Sequence, residues 1–136
     1  MFFKKKNKSN NENLIKIAAL LIHAAKIDEN FSSLEENIIK QTLLKIGANN
    51  NNIEEIIKNA QKIEENSNQI LDFTKEVKNM NEANKIKIIE TLWKIIYSNK
   101  VADDYETNLM RRLAGLLYID NKIMGDIKER IKRDSS

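Results

Sequence analysis

The chain has 136 residues with no proline, no cysteine, one histidine and three glycines. This composition predicts a single all-α domain, and it excludes disulfides, thiolate metal sites and any site that needs two imidazoles. The net charge of +3 belongs to residues 1–13, which hold four lysines and one glutamate, so the remaining chain is balanced and a broad basic face for nucleic acid is not expected.

The N-terminal residues 1–11 are polar and have no apolar periodicity after the first two phenylalanines. This predicts a disordered basic tail in front of one helical domain over residues 12–134. Two aromatics followed by lysines also predict a weak contact with an anionic membrane surface, through Phe2, Phe3, Lys4, Lys5 and Lys6. Because there is no apolar run long enough to span a membrane and no signal-peptide core, we expect a cytoplasmic chain that can lie at the inner face of the membrane.

Apolar residues recur at helical spacing in seven segments, so we expect about seven helices and no strand. The first helix is predicted from about Glu12 to Lys26, with a single apolar stripe. His23 lies beside this stripe. We interpret it as a boundary residue with one hydrogen bond, in preference to a ligand or a base, because no partner for either role is evident.

The second and third helices are predicted from their caps. Ser32 and Glu35 have the spacing of a capping box, and Gly47 is placed to end the second helix in a left-handed conformation. Leu34 is expected to face inward. The third helix is expected to start at a cap formed by Asn52 and to bury an isoleucine stripe that ends at Ile63.

The second half of the chain is predicted to hold the largest core residue, Trp93, on a fifth helix that Asn81 opens. Gly115 interrupts the sixth helix, which predicts close helix packing at that point. Asp120 is expected to cap the last helix.

Two stretches repeat one pattern: the end of a helix, a short polar loop, and a helix with an acidic residue in its first turn. When Asp28 is aligned with Asn99, Glu35 aligns with Glu106 and the apolar positions that follow also agree. The repeat predicts internal pseudo-symmetry, in which residues 17–46 superpose on residues 88–117.

The second copy, YSNKVADDYETNLMRRLAGLLYI with Leu92-Trp93 before it, and the first copy, HAAKIDENFSSLEENIIKQTLLKIG, resemble the TerB-like family, named for tellurite resistance. The resemblance covers about residues 14–131. It implies an all-α TerB-like bundle with pseudo-twofold symmetry, and a non-enzymatic interaction module in tellurite or general stress response whose protein partner is unknown. It also implies kinship to the amino-terminal domain of a membrane-anchored DnaJ-type co-chaperone, although no J-domain signature is present here.

The resemblance further implies an acidic, cation-binding region at the two loops. The positions that match the family are candidate ligands for a divalent cation such as calcium: Asp28, Glu35, Asp103 and Glu106. The second copy departs from the family pattern, since Asn99 replaces the loop aspartate and Lys100 adds a competing positive charge. Helix capping accounts for Glu35, Asp103 and Glu106 without any ion, and we favour it over metal binding.

Enzymatic function is disfavoured, because a chain with no cysteine, one histidine and no glycine-rich loop lacks the parts of a nucleophile–base pair or a phosphate cradle. No catalytic residue and no organic cofactor are predicted. The main alternative to an interaction module is a cation-responsive binding domain in which Asp28 and Glu35 hold the ion. Hydrolysis by carboxylates alone is not excluded by the sequence.

Overall fold

The computed structural model describes the backbone of residues 2–26, 32–66, 71–98 and 104–135, and the side chains of residues 11–26, 32–66, 73–98 and 108–134. No strand occurs in these residues, which confirms the all-α class. The helices are α1 (Phe2–Ala25), α2 (Ser33–Ile46), α3 (Ile53–Glu65), α4 (Leu71–Lys78), α5 (Glu82–Tyr97), α6 (Asp104–Leu116) and α7 (Asn121–Ser135). None of the described helices has a stretch long and apolar enough to cross a lipid bilayer.

Helices α1 and α5 form the centre of the bundle. Every side chain from Ile17 to Ile22 of α1 is buried, and so are those of Thr91–Trp93 and Ile95–Tyr97 in α5. The sequence predicted one apolar stripe on each helix, but these segments of α1 and α5 are buried on more than one side. A helix buried in this way needs neighbours all around it. Helix α1 packs on α2, α3, α4 and α5, and helix α5 packs on α1, α2, α4 and α7.

One pair of helix contacts agrees with the predicted repeat. The most extensive contact of α1 is with α3, and that of α5 is with α7. In each half, therefore, the first helix packs on the third. Superposition of residues 17–46 on residues 88–117 remains a prediction, since residues 27–31 and 99–103 lie outside the described part of the chain.

A buried hydrogen bond between two threonines joins the two halves. Thr42 of α2 and Thr91 of α5 place their hydroxyl oxygens 2.5 Å apart. The Thr91 hydroxyl donates to the main-chain oxygen of Lys87 at 2.8 Å. The Thr42 hydroxyl likewise donates to the main-chain oxygen of Ile38 at 3.2 Å, so either hydroxyl can be the donor in the bond between the two threonines. The contact satisfies both hydroxyls inside the core, where an unpaired one would be destabilising.

Trp93 is buried as predicted, with 2% of its surface exposed. Its ring stacks on that of Tyr97, with centroids 6.0 Å apart. The Nζ atom of Lys128 on α7 lies 5.4 Å from the Trp93 ring centroid, a cation–π contact that the sequence did not indicate. The indole Nε1 is buried and has no hydrogen-bond partner among the described residues.

The start of α1 differs from the prediction. The helix begins at Phe2, about ten residues before the expected start near Glu12. Apolar periodicity marks where a helix packs, and the segment before Glu12 contains no glycine or proline that would end the helix. Asn11 accepts a hydrogen bond from the Asn52 side-chain amide at 3.4 Å, which joins this part of α1 to the start of α3. The domain boundary at residue 12 remains a prediction.

Three predictions about packing are wrong. Leu34 is 58% exposed and Ile63 is 38% exposed. Leu34 lies five residues before the buried Ile39, which at about 100° per residue places it well around the helix from the buried face. Ile63 lies in the last turn of α3, where the neighbouring Glu64 is buried instead. Apart from α6 itself, none of the described residues has an atom within 4 Å of the position of a Cβ on Gly115, so this glycine does not mark close packing among them.

The predicted cap of α3 is also wrong. Asn52 already has a helical conformation and its side chain makes no capping hydrogen bond. A capping side chain needs an extended backbone at the N-cap residue. The hydrogen bonds are instead made by Asn49, one turn earlier. Its side-chain oxygen accepts from the amides of Asn51 and Asn52 at 2.9 and 3.1 Å.

The capping residues of three other helices are those that the sequence predicted. The Asn81 side chain accepts from the amide of Asn84 at 2.8 Å, and that of Asp120 accepts from the amide of Lys122 at 2.7 Å. Gly47 ends α2 with a φ of 138°, a conformation that glycine adopts far more readily than other residues.

Candidate functional site

The predicted cation site lies where α1 is joined to α2 and α5 is joined to α6. Asp28 and Asp103 are outside the described residues, and so is the side chain of Glu106. Their proposed role therefore remains a prediction. The Glu35 side chain is among the described residues, and its contacts show the role of this carboxylate in the folded chain.

Glu35 belongs to the predicted capping box, which is confirmed. The Ser32 amide donates to Glu35 Oε1 at 3.0 Å, and the Glu35 amide donates to Ser32 Oγ at 3.1 Å. Glu35 is only 1% exposed. It lies in the first turn of α2, where the helix dipole stabilises a negative charge. Its carboxylate thus has a structural role in starting α2 and is not presented to solvent.

Replacing Ser32 with alanine should lower the free energy of unfolding by about 1 kcal/mol, because the Glu35 amide loses its acceptor. Urea denaturation would measure the loss. Ser33→Ala is the matched control, since Ser33 is exposed in the next position and should change stability little. Equal stability of the Ser32 and Ser33 variants would show that the cap contributes nothing.

The wild-type chain and Asp28→Asn test the cation hypothesis. If the acidic residues at the two loops act only at helix ends, Ca²⁺ and Mg²⁺ should leave the thermal midpoint of the wild-type chain unchanged. A ligand that binds only the folded state raises that midpoint by mass action. A calcium-dependent rise that disappears in Asp28→Asn would contradict the capping interpretation and restore the predicted metal site.

A second cluster lies at the C-terminal end of α1. Glu64 of α3 is buried, and its Oε2 and Oε1 atoms lie 2.7 Å from Lys26 Nζ and 3.3 Å from His23 Nδ1. His23 is half-buried with this one hydrogen bond, as predicted. The sequence analysis did not identify Glu64 as a buried residue. Its position one turn after the buried Ala60 places it on the same face of α3 and could have indicated its burial. The cluster ties α1 to α3.

Further ion pairs connect the other helices. Lys16 of α1 lies 3.0 Å from Glu76 of α4, and Arg130 of α7 lies 2.7 Å from Glu90 of α5. Lys40 of α2 donates to Glu54 of α3 at 2.8 Å. This hydrogen bond is the main reason that the pKa of Lys40 is raised above its usual value. These three pairs join α1 to α4, α5 to α7 and α2 to α3.

Tyr97 gives the core a pH dependence at alkaline pH. Burial raises the pKa of its phenol above the ordinary value of 10.0, and the nearby Glu129 carboxylate raises it further. A folded-state pKa above the unfolded one means that stability is complete below pH 10 and falls as the pH rises through the folded pKa. The midpoint of urea denaturation should therefore fall above pH 10, and less so in Tyr97→Phe. An equal fall in both proteins would assign the effect to other groups.

A groove lies between α1, the end of α2 and α4, with a volume of about 360 Å³. We call it the α1–α4 groove. Its lining combines apolar side chains from α1, from the end of α2 and from Met80 after α4 with amides and charges: Asn13, Leu14, Ile17, Ile46, Gly47, Lys75, Glu76, Asn79 and Met80. The sequence did not predict it, because it depends on how three helices distant in sequence pack together.

Residues 14–129 match the family described as Tellurite resistance protein TerB. The chain belongs to the TerB family. The match includes both copies of the repeat. Its bounds agree closely with residues 14–131, over which the sequence resembles the family. No curated protein and no solved structure matches the chain. Among the side chains that the structure describes in this TerB-family chain, no three histidine, aspartate or glutamate residues come together as a metal site would require.

Proposed function

We propose that this TerB-family chain is a non-enzymatic helical interaction module that acts in tellurite or general stress response. The observation that supports this proposal is that the buried carboxylates have structural roles. Glu35 completes a helix cap, and Glu64 pairs with Lys26 and His23. Catalytic acids and bases usually lie in a cleft with a perturbed pKa and a reacting group within reach. These carboxylates stabilise contacts between and within helices instead.

The experiment is affinity capture of the full chain after cross-linking inside its native cells, with and without exposure to tellurite. We expect a defined protein partner whose recovery rises under stress and exceeds that from cells expressing an unrelated helical protein with the same affinity tag. Recovery of no protein above this control would contradict the proposal.

A further inference from the structure

We propose that the start of α1, residues 2–8, binds the surface of a bilayer that contains anionic lipids. We call these residues the basic segment. This role goes beyond the proposed interaction module and is independent of it, because the ligand is a lipid surface and not a protein. Three features support it: the charge of the basic segment, its pair of phenylalanines and the continuity of α1.

The positive charge of the chain is concentrated in the basic segment. Lys4, Lys5, Lys6 and Lys8 fall within five positions, and no acidic residue precedes Glu12. The rest of the chain is balanced in charge. Each lysine close to an anionic lipid surface strengthens binding by a factor of roughly five. The basic segment is therefore complementary in charge to such a surface, and the rest of the chain does not oppose it.

Phe2 and Phe3 add apolar groups to the basic segment. At about 100° per residue, positions 2 and 3 are neighbours on a helix, and positions 4, 5 and 8 fall on the opposite side. Aromatic residues on one side and lysines on the other are typical of helices that lie in the bilayer interface. Position 6 falls on the aromatic side, where a lysine can reach the headgroups with its ammonium group and bury its aliphatic stem.

The backbone of the basic segment is helical, although the sequence predicted a disordered tail. Helix α1 is continuous from Phe2 to Ala25. Among its described side chains, those of Glu12 and Asn13 are exposed and the first buried one is that of Leu14. A helix rises 1.5 Å per residue, so Phe2 lies about 18 Å along α1 from Leu14. A segment that is already helical loses less conformational entropy when it binds.

A nucleic acid is the other polyanion that a run of lysines could bind. Proteins that bind nucleic acids usually carry a basic face or stripe that follows the phosphate backbone. Here the chain beyond the basic segment is balanced in charge, and two helical turns contact few phosphates. A lipid surface uses both the lysines and the phenylalanines, so we favour it over a nucleic acid.

The test is co-sedimentation of the full chain with lipid vesicles. Vesicles of equal parts phosphatidylcholine and phosphatidylglycerol supply the anionic surface, and vesicles of phosphatidylcholine alone are the neutral control. The chain should sediment with the anionic vesicles, less so as the salt concentration rises, and should stay in solution with the neutral ones. Absence of binding to the anionic vesicles, or equal binding to both, would overturn the proposal.

Two triple variants of equal net charge locate the binding. Replacing the lysines at residues 4–6 with glutamine should weaken vesicle binding on the order of a hundredfold. The matched control combines Lys58→Gln, Lys62→Gln and Lys94→Gln, at exposed positions of α3 and α5. It should bind nearly as well as the wild type. Equal weakening in both variants would assign the binding to net charge and overturn the proposal.

A double variant, Phe2→Ala with Phe3→Ala, separates a lipid surface from a nucleic acid. It leaves the charge unchanged and should weaken vesicle binding by roughly tenfold, because apolar contact with the bilayer is lost. Fluorescence anisotropy with a fluorescein-labelled single-stranded oligonucleotide is the parallel measurement. Full vesicle binding by the double variant, together with oligonucleotide binding by the wild type, would assign the basic segment to a nucleic acid and overturn the proposal.

Discussion

Replacing Trp93 with alanine should lower the free energy of unfolding by about 3–5 kcal/mol, the largest loss we expect from a single substitution in this chain. The side chain is 2% exposed on the central helix α5, so its removal leaves a cavity that rigid neighbours cannot fill. The substitution also removes the stacked ring beside Tyr97 and the cation–π partner of Lys128. Urea denaturation followed by circular dichroism would measure the loss.

Trp93→Phe separates the packing contribution from the polar one. The phenylalanine ring retains part of the apolar volume, and it removes an indole N–H that has no hydrogen-bond partner among the described residues. An unsatisfied buried donor costs about 1–3 kcal/mol, so losing it should offset part of the cavity penalty. We therefore expect Trp93→Phe to be much milder than Trp93→Ala. Equal losses would show that the indole N–H is satisfied in solution.

Replacing Gly47 with alanine should destabilise the fold by about 1–3 kcal/mol, because its φ of 138° lies in a region that residues with a Cβ rarely adopt. The added Cβ would lie 3.9 Å from Leu14 Cδ1, an ordinary contact. The expected cost is therefore backbone strain and not a steric clash. Loss of this conformation would also disturb the end of α2, where the Gly47 amide donates to the Leu43 oxygen.

Gly115→Ala is the matched control and should have the opposite sign. Gly115 lies within α6 and, apart from α6 itself, none of the described residues has an atom within 4 Å of its Cβ position. Alanine there should stabilise the helix by roughly 0.5–1 kcal/mol, because glycine loses more backbone entropy on folding. Thermal unfolding of the two variants beside the wild type would compare them. Destabilisation by both would mean that Gly115 is in contact with another group.

Local features of the fold could be predicted from the sequence because they depend on residues close together in the chain. The spacing of Ser32 and Glu35 identified the capping box, and apolar residues at helical intervals identified the helices. The same reasoning could not choose among the four consecutive asparagines before α3. Asn49 and Asn52 have equal capping ability, and the local turn selects Asn49.

Features that depend on tertiary packing could not be predicted. Glu64 and Lys26 are 38 residues apart, and Lys16 and Glu76 are 60 residues apart, so no local pattern pairs them. The α1–α4 groove depends on the same contacts. Of the candidate cation ligands, only the Glu35 side chain falls within the described residues, and its capping role is the one that the sequence favoured.

The central claim is that this TerB-family chain works by binding a protein partner through its helical body and without a metal ion. Capture of the cross-linked partner from native cells, carried out in parallel with added calcium and with EDTA, tests this claim most directly. We predict recovery of the same partner, in the same amount, under both conditions. Recovery that requires calcium and is lost in Asp28→Asn would contradict the claim and would favour a cation-responsive domain.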